Sequence, residues 1–423
     1  MLKYRFKLLY LLLNVVILTS CGTTHKIKSN LKHSNKESSF FKGFVLYNPK
    51  TKKEIINYNG KKYFTPASNT KLFTFYTAYK TLQDSVVGLE YYKAKDSLLI
   101  KGTADPSLLY GFESTKIIDF LKNETDSIYL LDESIVDMPY GNGWAWDDYQ
   151  DYYMPEKSLF PIYGNIVKFS IKDSLVTSTP SYFNQNITVL DSTSFSRELT
   201  ENIFYIQNGH KKENEVPFIT SNKLVAELLS EQIQKTIKVI PTTKKYDFKI
   251  LKSISYNELY KQMLVVSDNF IAEQLLLQVG KEVSNSYSVK AAIEYSLTNY
   301  LQDLPQKPRW VDGSGLSRYN LFSPNDFVYL LDKMFHEISL PKLLNYFPVG
   351  GESGTLKNSY GNEKPYVFAK TGSLSNNYNL SGYLITKKGT VLIFSYMNNH
   401  YQKSTSTIKS DIEKTLKSIY NHF

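Results

Sequence analysis

A serine and a lysine stand three residues apart at the predicted start of a helix. A Thr-Pro-Ala sequence precedes Ser68, and apolar residues at helical spacing follow Lys71, so the hydroxyl and the amine fall on one face of the first turn. An amine kept near neutrality by burial can take the serine proton and create a nucleophile. The same spacing recurs at 29–32, 39–42 and 406–409, so the pair alone is weak evidence for catalysis.

A second polar group, Ser267-Asp268-Asn269, lies at the joint between two predicted helices. From such a joint Ser267 can relay a proton and Asn269 can hold a substrate amide. Helix capping accounts for the triplet equally well, because Ser, Asp and Asn are the preferred N-cap residues. The Ser-x-Asn pattern also occurs at 323–325 and 375–377.

A third group, Lys370-Thr371-Gly372, occurs once and lies on a predicted strand. Lys370 and Thr371 can meet a substrate carboxylate, and Gly372 lets a ligand approach the backbone closely. The backbone N–H of Ser373 and that of Ser68 at the helix start can together form an oxyanion hole. The sequence therefore predicts acyl-transfer chemistry at a serine.

In this order the three motifs are the signature of penicillin-binding proteins and class A β-lactamases. From about Phe41 to the C-terminus the chain resembles the low-molecular-mass class C penicillin-binding proteins, the D-Ala-D-Ala carboxypeptidase/endopeptidase family, peptidase family S13. The resemblance implies an α+β fold of the penicillin-binding-protein/β-lactamase type. In that fold an antiparallel sheet is flanked by helices, and this chain adds an inserted, mostly-β module.

The same resemblance implies a hydrolase that cuts D-Ala-D-Xaa bonds in peptidoglycan peptides through an acyl-enzyme at Ser68. It implies no cofactor and no metal, and it implies β-lactams as covalent inhibitors. Catalytic roles carry over to Ser68, Lys71, Ser267, Asn269 and Lys370. Carboxypeptidase and endopeptidase activities are both compatible with these motifs.

A tryptophan-rich segment, Gly143–Asp148, resembles a family segment whose last aspartate binds the free amino group of a diaminopimelate side chain. The resemblance implies a substrate-binding role for Asp148, and for Tyr153 a few residues later. Ordinary core packing of the two tryptophans is the alternative. Arg318 matches a pocket-lining arginine within a glycine-rich stretch, although such arginines are more often surface residues. Ser375 departs from family members that have glutamine there.

The elements that must position these residues come from both ends of the chain. Alternating and apolar runs predict strands at 43–47, 54–58, 367–371, 379–386 and 391–398. Apolar residues at helical spacing predict a closing amphipathic helix at 408–419. We therefore predict that 43–86 and 248–423 form the catalytic domain. Residues 87–247, with short strand-like runs, form the inserted domain or domains.

The N-terminal segment is typical of an export signal. Lys3, Arg5 and Lys7 precede an apolar run at 8–18 that is too short to span a bilayer. The residues before Cys21 resemble a bacterial lipobox, so residues 1–20 are predicted to be a signal peptide and Cys21 a lipidated N-terminus. The alternative is a chance cysteine that ends a simple anchor helix.

After Cys21, polar residues to position 42 predict a flexible tether. We expect an exported, periplasmic lipoprotein of the cell envelope, held to a membrane by its lipid.

The charge pattern argues against nucleic-acid binding. The formal net charge of the 423 residues is +10, and loss of the signal would leave +7. Basic residues are spread along the chain with no concentrated stripe, which is typical of a solvated surface. Two other functions fit the motifs: a β-lactamase on the same scaffold, and a non-catalytic cell-wall binder or β-lactam sensor. The intact catalytic set and the large insert favour the peptidase.

Overall fold

The computed structural model describes residues 39–172, 175–191, 196–208 and 214–423, together with positions 22, 25, 27–29 and 31. Cys21 and the predicted signal lie outside the described residues.

The first sheet is built from the two ends of the chain and is antiparallel throughout. Its strands, in spatial order, are β14 (Val367–Leu374), β15 (Asn377–Ile385), β16 (Val391–Asn399), β1 (Phe41–Asn48) and β2 (Lys53–Tyr58). Every residue of β16, and almost all of β15, is buried, because helices cover both faces. The terminal hairpins and the α+β class predicted from the sequence are confirmed.

A second five-stranded sheet is mixed. Its order is β12 (Ile237–Pro241), β5 (Ser127–Asp132), β4 (Ser97–Lys101), β3 (Ser85–Lys93) and β13 (Lys249–Ser255). Strands β4, β5 and β12 run parallel, and β3 pairs antiparallel with β4 and β13. This sheet includes residues on both sides of the predicted boundaries at 87 and 247, and the division into domains stays a prediction.

Two three-stranded sheets complete the middle of the chain. One has the order β8 (Ile187–Leu190), β10 (Phe204–Gln207), β9 (Ser196–Arg197), and the other β11 (Asn214–Pro217), β6 (Ile166–Lys172), β7 (Leu175–Thr179). They share one apolar core with the second sheet.

The helices of the described residues pack mainly around the first sheet. They are α1 (Lys71–Thr81), α2 (Lys116–Asn123), α3 (Asn222–Ile233), α4 (Tyr256–Val265), α5 (Asn269–Ser284), α6 (Val289–Asn299), α7 (Pro324–Glu337), α8 (Leu340–Leu344) and α9 (Thr405–His422). Helices α2 and α3 belong to the predicted insert. Helix α7 packs on β16 and β1, and α9 packs on β15.

Helix α1 is the central helix, and its residues 71–78 are all buried. A 3-10 turn, Ala67–Thr70, leads into it, so the helix predicted to begin near Ser68 is confirmed with a tighter first turn. Phe73 anchors it, with its ring centroid 4.5 Å from that of Phe322 and 5.4 Å from that of Phe327. Full burial of such a side chain stabilises a fold by about 1.5–3 kcal/mol, which holds the start of the helix in place.

A flexible tether was expected at 21–42, but two of its described positions are packed into the fold. Ile27 and Leu31 are 5% and 3% exposed and belong to the same apolar cluster as Phe40 and the buried face of α9. Strand β1 begins at Phe41. Composition favoured a tether because polar residues dominate this stretch, but two apolar residues four apart suffice to pack on a ready-made surface.

Candidate active site

The serine of the first motif sits on a turn that the sheet holds from below. Ala67, just before Ser68, has φ = 50°, a conformation uncommon outside glycine and one that recurs at functional sites. The side-chain amide of Asn379 on β15 donates to the carbonyl of Pro66 at 3.0 Å, and that of Asn69 donates to Ser381 Oγ at 2.8 Å. Buried polar contacts from one strand therefore fix the turn that carries Ser68.

Lys71 lies directly beneath Ser68 and is fully buried. Its Nζ is 3.0 Å from Ser68 Oγ, 2.6 Å from Asn269 Oδ1 and 2.7 Å from the carbonyl oxygen of Ser314. Three acceptors arranged around one nitrogen hold the amine on the serine. Ser68 of the first motif and Asn269 of the second therefore both contact one atom, Lys71 Nζ.

Burial lowers the pKa of Lys71 to about 8, against the opposing pull of the carboxylates of Asp268, Asp312 and Glu273. Desolvation disfavours the charged ammonium. At pH 7 a group with this pKa is neutral in about one molecule in ten, which supplies a base poised close to physiological pH.

The second motif occupies the joint between α4 and α5. Asp268 caps α5 by accepting from the N–H of Ile271 at 2.9 Å, and its other oxygen accepts from the Tyr110 hydroxyl at 2.9 Å. Because Asp268 forms the cap, the side chains of its two neighbours are available for other contacts. Asn269 contacts Lys71, and Ser267, with φ = 67°, faces the cavity. Capping is therefore observed at Asp268, whereas the catalytic roles of Ser267 and Asn269 stay predictions.

The third motif places a second buried lysine behind Ser267. Lys370 Nζ donates to Ser267 Oγ at 2.8 Å and to the carbonyl of Thr371 at 2.9 Å. Burial, and the nearby charge of Lys71, lower the pKa of Lys370 well below its usual range. Two amines with lowered pKa values therefore contact two hydroxyls at one end of a cavity.

Gly372 has a packing reason that the sequence did not suggest. A Cβ at this position would lie 2.2 Å from the carbonyl oxygen of Pro66 and 3.0 Å from the backbone nitrogen of Asn69. The glycine is required because β14 packs closely against the turn that carries Ser68, and its role in ligand approach stays a prediction. Its neighbours Thr371 and Ser373 do line the cavity.

The cavity, of about 960 Å³, extends from Ser68 to the predicted insert. This size lies near the upper end for small-molecule sites and accommodates a peptide. The predicted residues among its lining are Ser68, Asp148, Tyr153, Ser267, Asn269, Arg318, Thr371 and Ser373. Both serines with predicted oxyanion-hole N–H groups are therefore at the cavity, while Lys71 and Lys370 lie behind its wall.

Asp148 ends a short 3-10 turn, Trp146–Asp148, on the cavity wall. Partial burial raises its pKa, as do Asp151 and Asp147, while Tyr153 and Arg318 oppose the shift. The amide of Asn269 donates to the carbonyl of Tyr153 at 2.8 Å, which ties this wall to the second motif. A half-desolvated carboxylate of this kind suits a cationic partner.

Sequence reasoning missed several groups of the site. The Ser314 carbonyl that holds Lys71 belongs to the stretch 312–320, and Thr355, which accepts from the Thr371 hydroxyl at 2.9 Å, belongs to 351–357. The first stretch contains Arg318, which the family resemblance had singled out, but no role had been attached to its backbone. Tyr110 had no such signal, because its contact with Asp268 joins residues 158 positions apart.

Within the described ranges, no group of three or more His, Cys, Asp or Glu side chains is arranged to hold a metal ion. The chemistry available to these residues is proton transfer between hydroxyls and amines, and nucleophilic attack by Ser68.

The fold combines helices with a sheet, and a serine lies at the start of one helix. Two buried lysines and an asparagine surround this serine. The class of protein with this arrangement is that of the active-site serine acyl-transfer enzymes. Sequence comparison gives the family. A profile of the D-Ala-D-Ala carboxypeptidase 3 (S13) family matches residues 24–198 and 217–419. The chain belongs to this family and is a serine-type hydrolase.

Comparison with individual proteins agrees with this family assignment. D-alanyl-D-alanine carboxypeptidase DacB of Haemophilus influenzae is 25% identical over 429 residues, covering 88% of each chain. Penicillin-sensitive carboxypeptidase A of Dictyostelium discoideum is 27% identical over 402 residues, covering 78% of this chain and 76% of its own. The crystal structure of penicillin-binding protein 4 from Haemophilus influenzae superposes with a TM-score of 0.76 at 21% identity, covering 93% and 98% of the two chains. The predicted fold class is therefore confirmed.

Proposed function

We propose that this protein hydrolyses D-Ala-D-Xaa bonds in peptidoglycan stem peptides or cross-links through an acyl-enzyme on Ser68. The observation that carries the proposal is the 3.0 Å contact between Ser68 Oγ and the buried Lys71 Nζ, whose pKa is lowered to about 8. Family membership gives the reaction class, and this geometry supports the assignment of the catalytic roles to Ser68 and Lys71.

In the first half of the reaction, neutral Lys71 takes the proton of Ser68, and Oγ attacks the carbonyl carbon of the penultimate D-Ala. The backbone N–H groups of Ser68 and Ser373 stabilise the oxyanion. The C–N bond then breaks, and the proton that Lys71 had taken passes through Ser267, which contacts Lys370 at 2.8 Å, to the leaving amine, so that Lys71 is neutral again. A free amino acid leaves, or the amine side of a cross-link, and the acyl group stays on Ser68.

In the second half, water attacks the ester with Lys71 again acting as base, and the proton returns to Ser68 as the acid product leaves. The substrate carboxylate lies at Thr371, on β14.

β-Lactams are proposed as covalent inhibitors, because a strained amide that enters the same cavity meets the same nucleophile. The relative from Dictyostelium discoideum, penicillin-sensitive carboxypeptidase A, supports this inhibition.

The amine-recognising end of the cavity is assigned to Asp148, with Tyr153 and Arg318 beside it. An ammonium group on the third residue of the stem peptide would pair with the Asp148 carboxylate. This assignment would make the insert a specificity element.

An envelope location with a lipid at Cys21 is proposed from the N-terminal apolar run and the small residues before the cysteine. In the part of the chain that the structure covers, no helix has the length and apolar character needed to cross a membrane.

The experiment is labelling with a fluorescent penicillin, followed by digestion of purified muropeptides. Wild-type protein should carry the label on Ser68 and release products shortened by one D-amino acid or cut at the cross-link, identified by mass. Ser68→Ala should lose labelling and hydrolysis. An adduct mapped to another residue, or an unchanged mutant, contradicts the proposal.

A further inference from the structure

The stretch 312–320 lies between the nucleophile and the wall that carries Asp148, and it contacts both. Its hub is Asp312, which is 1% exposed. Asp312 Oδ1 accepts from the N–H of Gly315 at 2.9 Å and from the side-chain amide of Asn320 at 2.6 Å. Its Oδ2 accepts from the N–H of Ser317 at 2.6 Å. One carboxylate therefore sets the shape of the whole stretch.

On the nucleophile side, this stretch holds the catalytic amine. The Ser314 carbonyl accepts from Lys71 Nζ at 2.7 Å, and the Gly313 carbonyl accepts from the Thr74 hydroxyl at 2.6 Å. Gly315, at φ = 82°, fits so closely that a Cβ would lie 1.9 Å from the Ala67 carbonyl oxygen. The stretch is therefore fixed against the turn of Ser68.

On the other side, the same stretch holds residues 142–144, just before Asp148. Trp144 Nε1 donates to Asp312 Oδ2 at 2.9 Å. Ser317 Oγ donates to the carbonyl of Asn142 at 2.7 Å, and the N–H of Arg318 donates to the carbonyl of Gly143 at 3.3 Å. The Asp148 segment is thus attached to a carboxylate that also shapes the support of Lys71.

We propose that Trp144 is a positioning residue for substrate specificity: its indole N–H, bonded to Asp312, sets the distance between the amine-binding carboxylate of Asp148 and the Ser68 nucleophile. This inference rests on the proposed role of Asp148. Its bond to Asp312 lets Trp144 position Asp148, and the tryptophan does not perform chemistry. Small misplacements of a binding group relative to the reacting atoms cost large factors in rate, so the loss of this single N–H donor is enough to change the rate.

The test compares Trp144→Phe with wild type on three reagents. These are a stem-peptide analogue with a free side-chain amine at its third residue, the same peptide with that amine acetylated, and penicillin. The phenylalanine keeps an aromatic ring but has no N–H, and Asp312 Oδ2 keeps the Ser317 donor. We expect kcat/KM for the free-amine peptide to fall about five- to fiftyfold, with the acetylated peptide and penicillin acylation within about twofold of wild type.

A matched control is Trp146→Phe, the same substitution two residues away at a side chain that is 74% exposed; it should leave all three rates unchanged. Titration with penicillin gives the fraction of folded sites, so every rate is normalised to competent enzyme. If Trp144→Phe yields too few sites, Ser317→Ala removes the bond to Asn142 and should show the same selective loss.

The decisive measurement is the double mutant. Trp144→Phe in an Asp148→Ala background should cause no further loss on the free-amine peptide, because the tryptophan acts only through Asp148. Additive losses, equal losses on all three reagents, or no loss at all in Trp144→Phe overturn the positioning role. If Asp148→Ala keeps the wild-type kcat/KM on the free-amine peptide, the proposed role of Asp148 is wrong, and so is this inference. The proposal that Ser68 is acylated does not depend on that result.

Discussion

Gly372 and Pro66 approach so closely that a single added carbon would lie 2.2 Å from the Pro66 carbonyl oxygen. Strand β14 carries Lys370 and the N–H of Ser373, and Pro66 is two residues before Ser68. The separation of strand and turn therefore decides whether Ser68 faces the N–H of Ser373, the proposed member of its oxyanion hole.

Gly372→Ala should push β14 away from the turn and slow penicillin acylation by about 100-fold or more, since both the oxyanion N–H and Lys370 would move. The measurement is the rate of acylation by a labelled penicillin. Gly361→Ala is a matched control, because its Cβ would sit at an ordinary 3.5 Å from its nearest neighbour. Acylation of Gly372→Ala at the wild-type rate would contradict the close-contact argument.

Acylation should depend on pH through Lys71. Its pKa is lowered to about 8 by burial, and only the neutral amine can take the Ser68 proton. Below this value the neutral fraction falls tenfold for each pH unit, so the acylation rate should rise about tenfold per unit up to near pH 8 and then level. A stopped-flow series from pH 5.5 to 9.5 measures the profile. A flat profile across this range would exclude Lys71 as the titrating base.

Asp148→Ala should separate recognition from chemistry. Loss of a partly desolvated ion pair costs about 1.5–3 kcal/mol, equivalent to a roughly tenfold to hundredfold drop in kcat/KM for a peptide with a free third-residue amine. Penicillin lacks that amine and should acylate the mutant at close to the normal rate. Paired assays of peptide and penicillin give the answer. Equal losses for both would indicate a role in folding, and no loss for either would leave the tryptophan-rich segment as ordinary packing.

Cys21→Ser should release the protein from the membrane fraction and change its intact mass, if the cysteine is lipidated after removal of residues 1–20. Fractionation and mass spectrometry of both forms measure this. Because Ile27 and Leu31 are buried in the fold, the linker free to span from lipid to protein is shorter than the 21–42 stretch. A mutant with the same mass and the same fractionation as wild type removes the lipoprotein prediction.

Sequence reasoning could propose a catalytic set because each motif is local. Ser68 and Lys71 share one helix turn, and the triplet 267–269 joins two amphipathic runs. The apolar pattern around Lys370 predicts the strand that carries this residue. The sequence could not show which sheet β13 (Lys249–Ser255) joins: it pairs with β3, although its apolar pattern would be the same in either sheet. Pairing across more than 150 residues leaves no local pattern.

The order and types of the motifs by themselves predicted an acyl-transfer serine with a lysine base, and periodicity predicted strands and a helix contributed by both chain ends. Only the tertiary structure decided which groups meet. It placed Lys71 against the Ser314 carbonyl, Lys370 against Ser267, and Trp144 against Asp312. The physical reason is that motif chemistry depends on neighbours along the chain, whereas burial and hydrogen-bond partners depend on segments hundreds of residues apart that pack only in the folded protein.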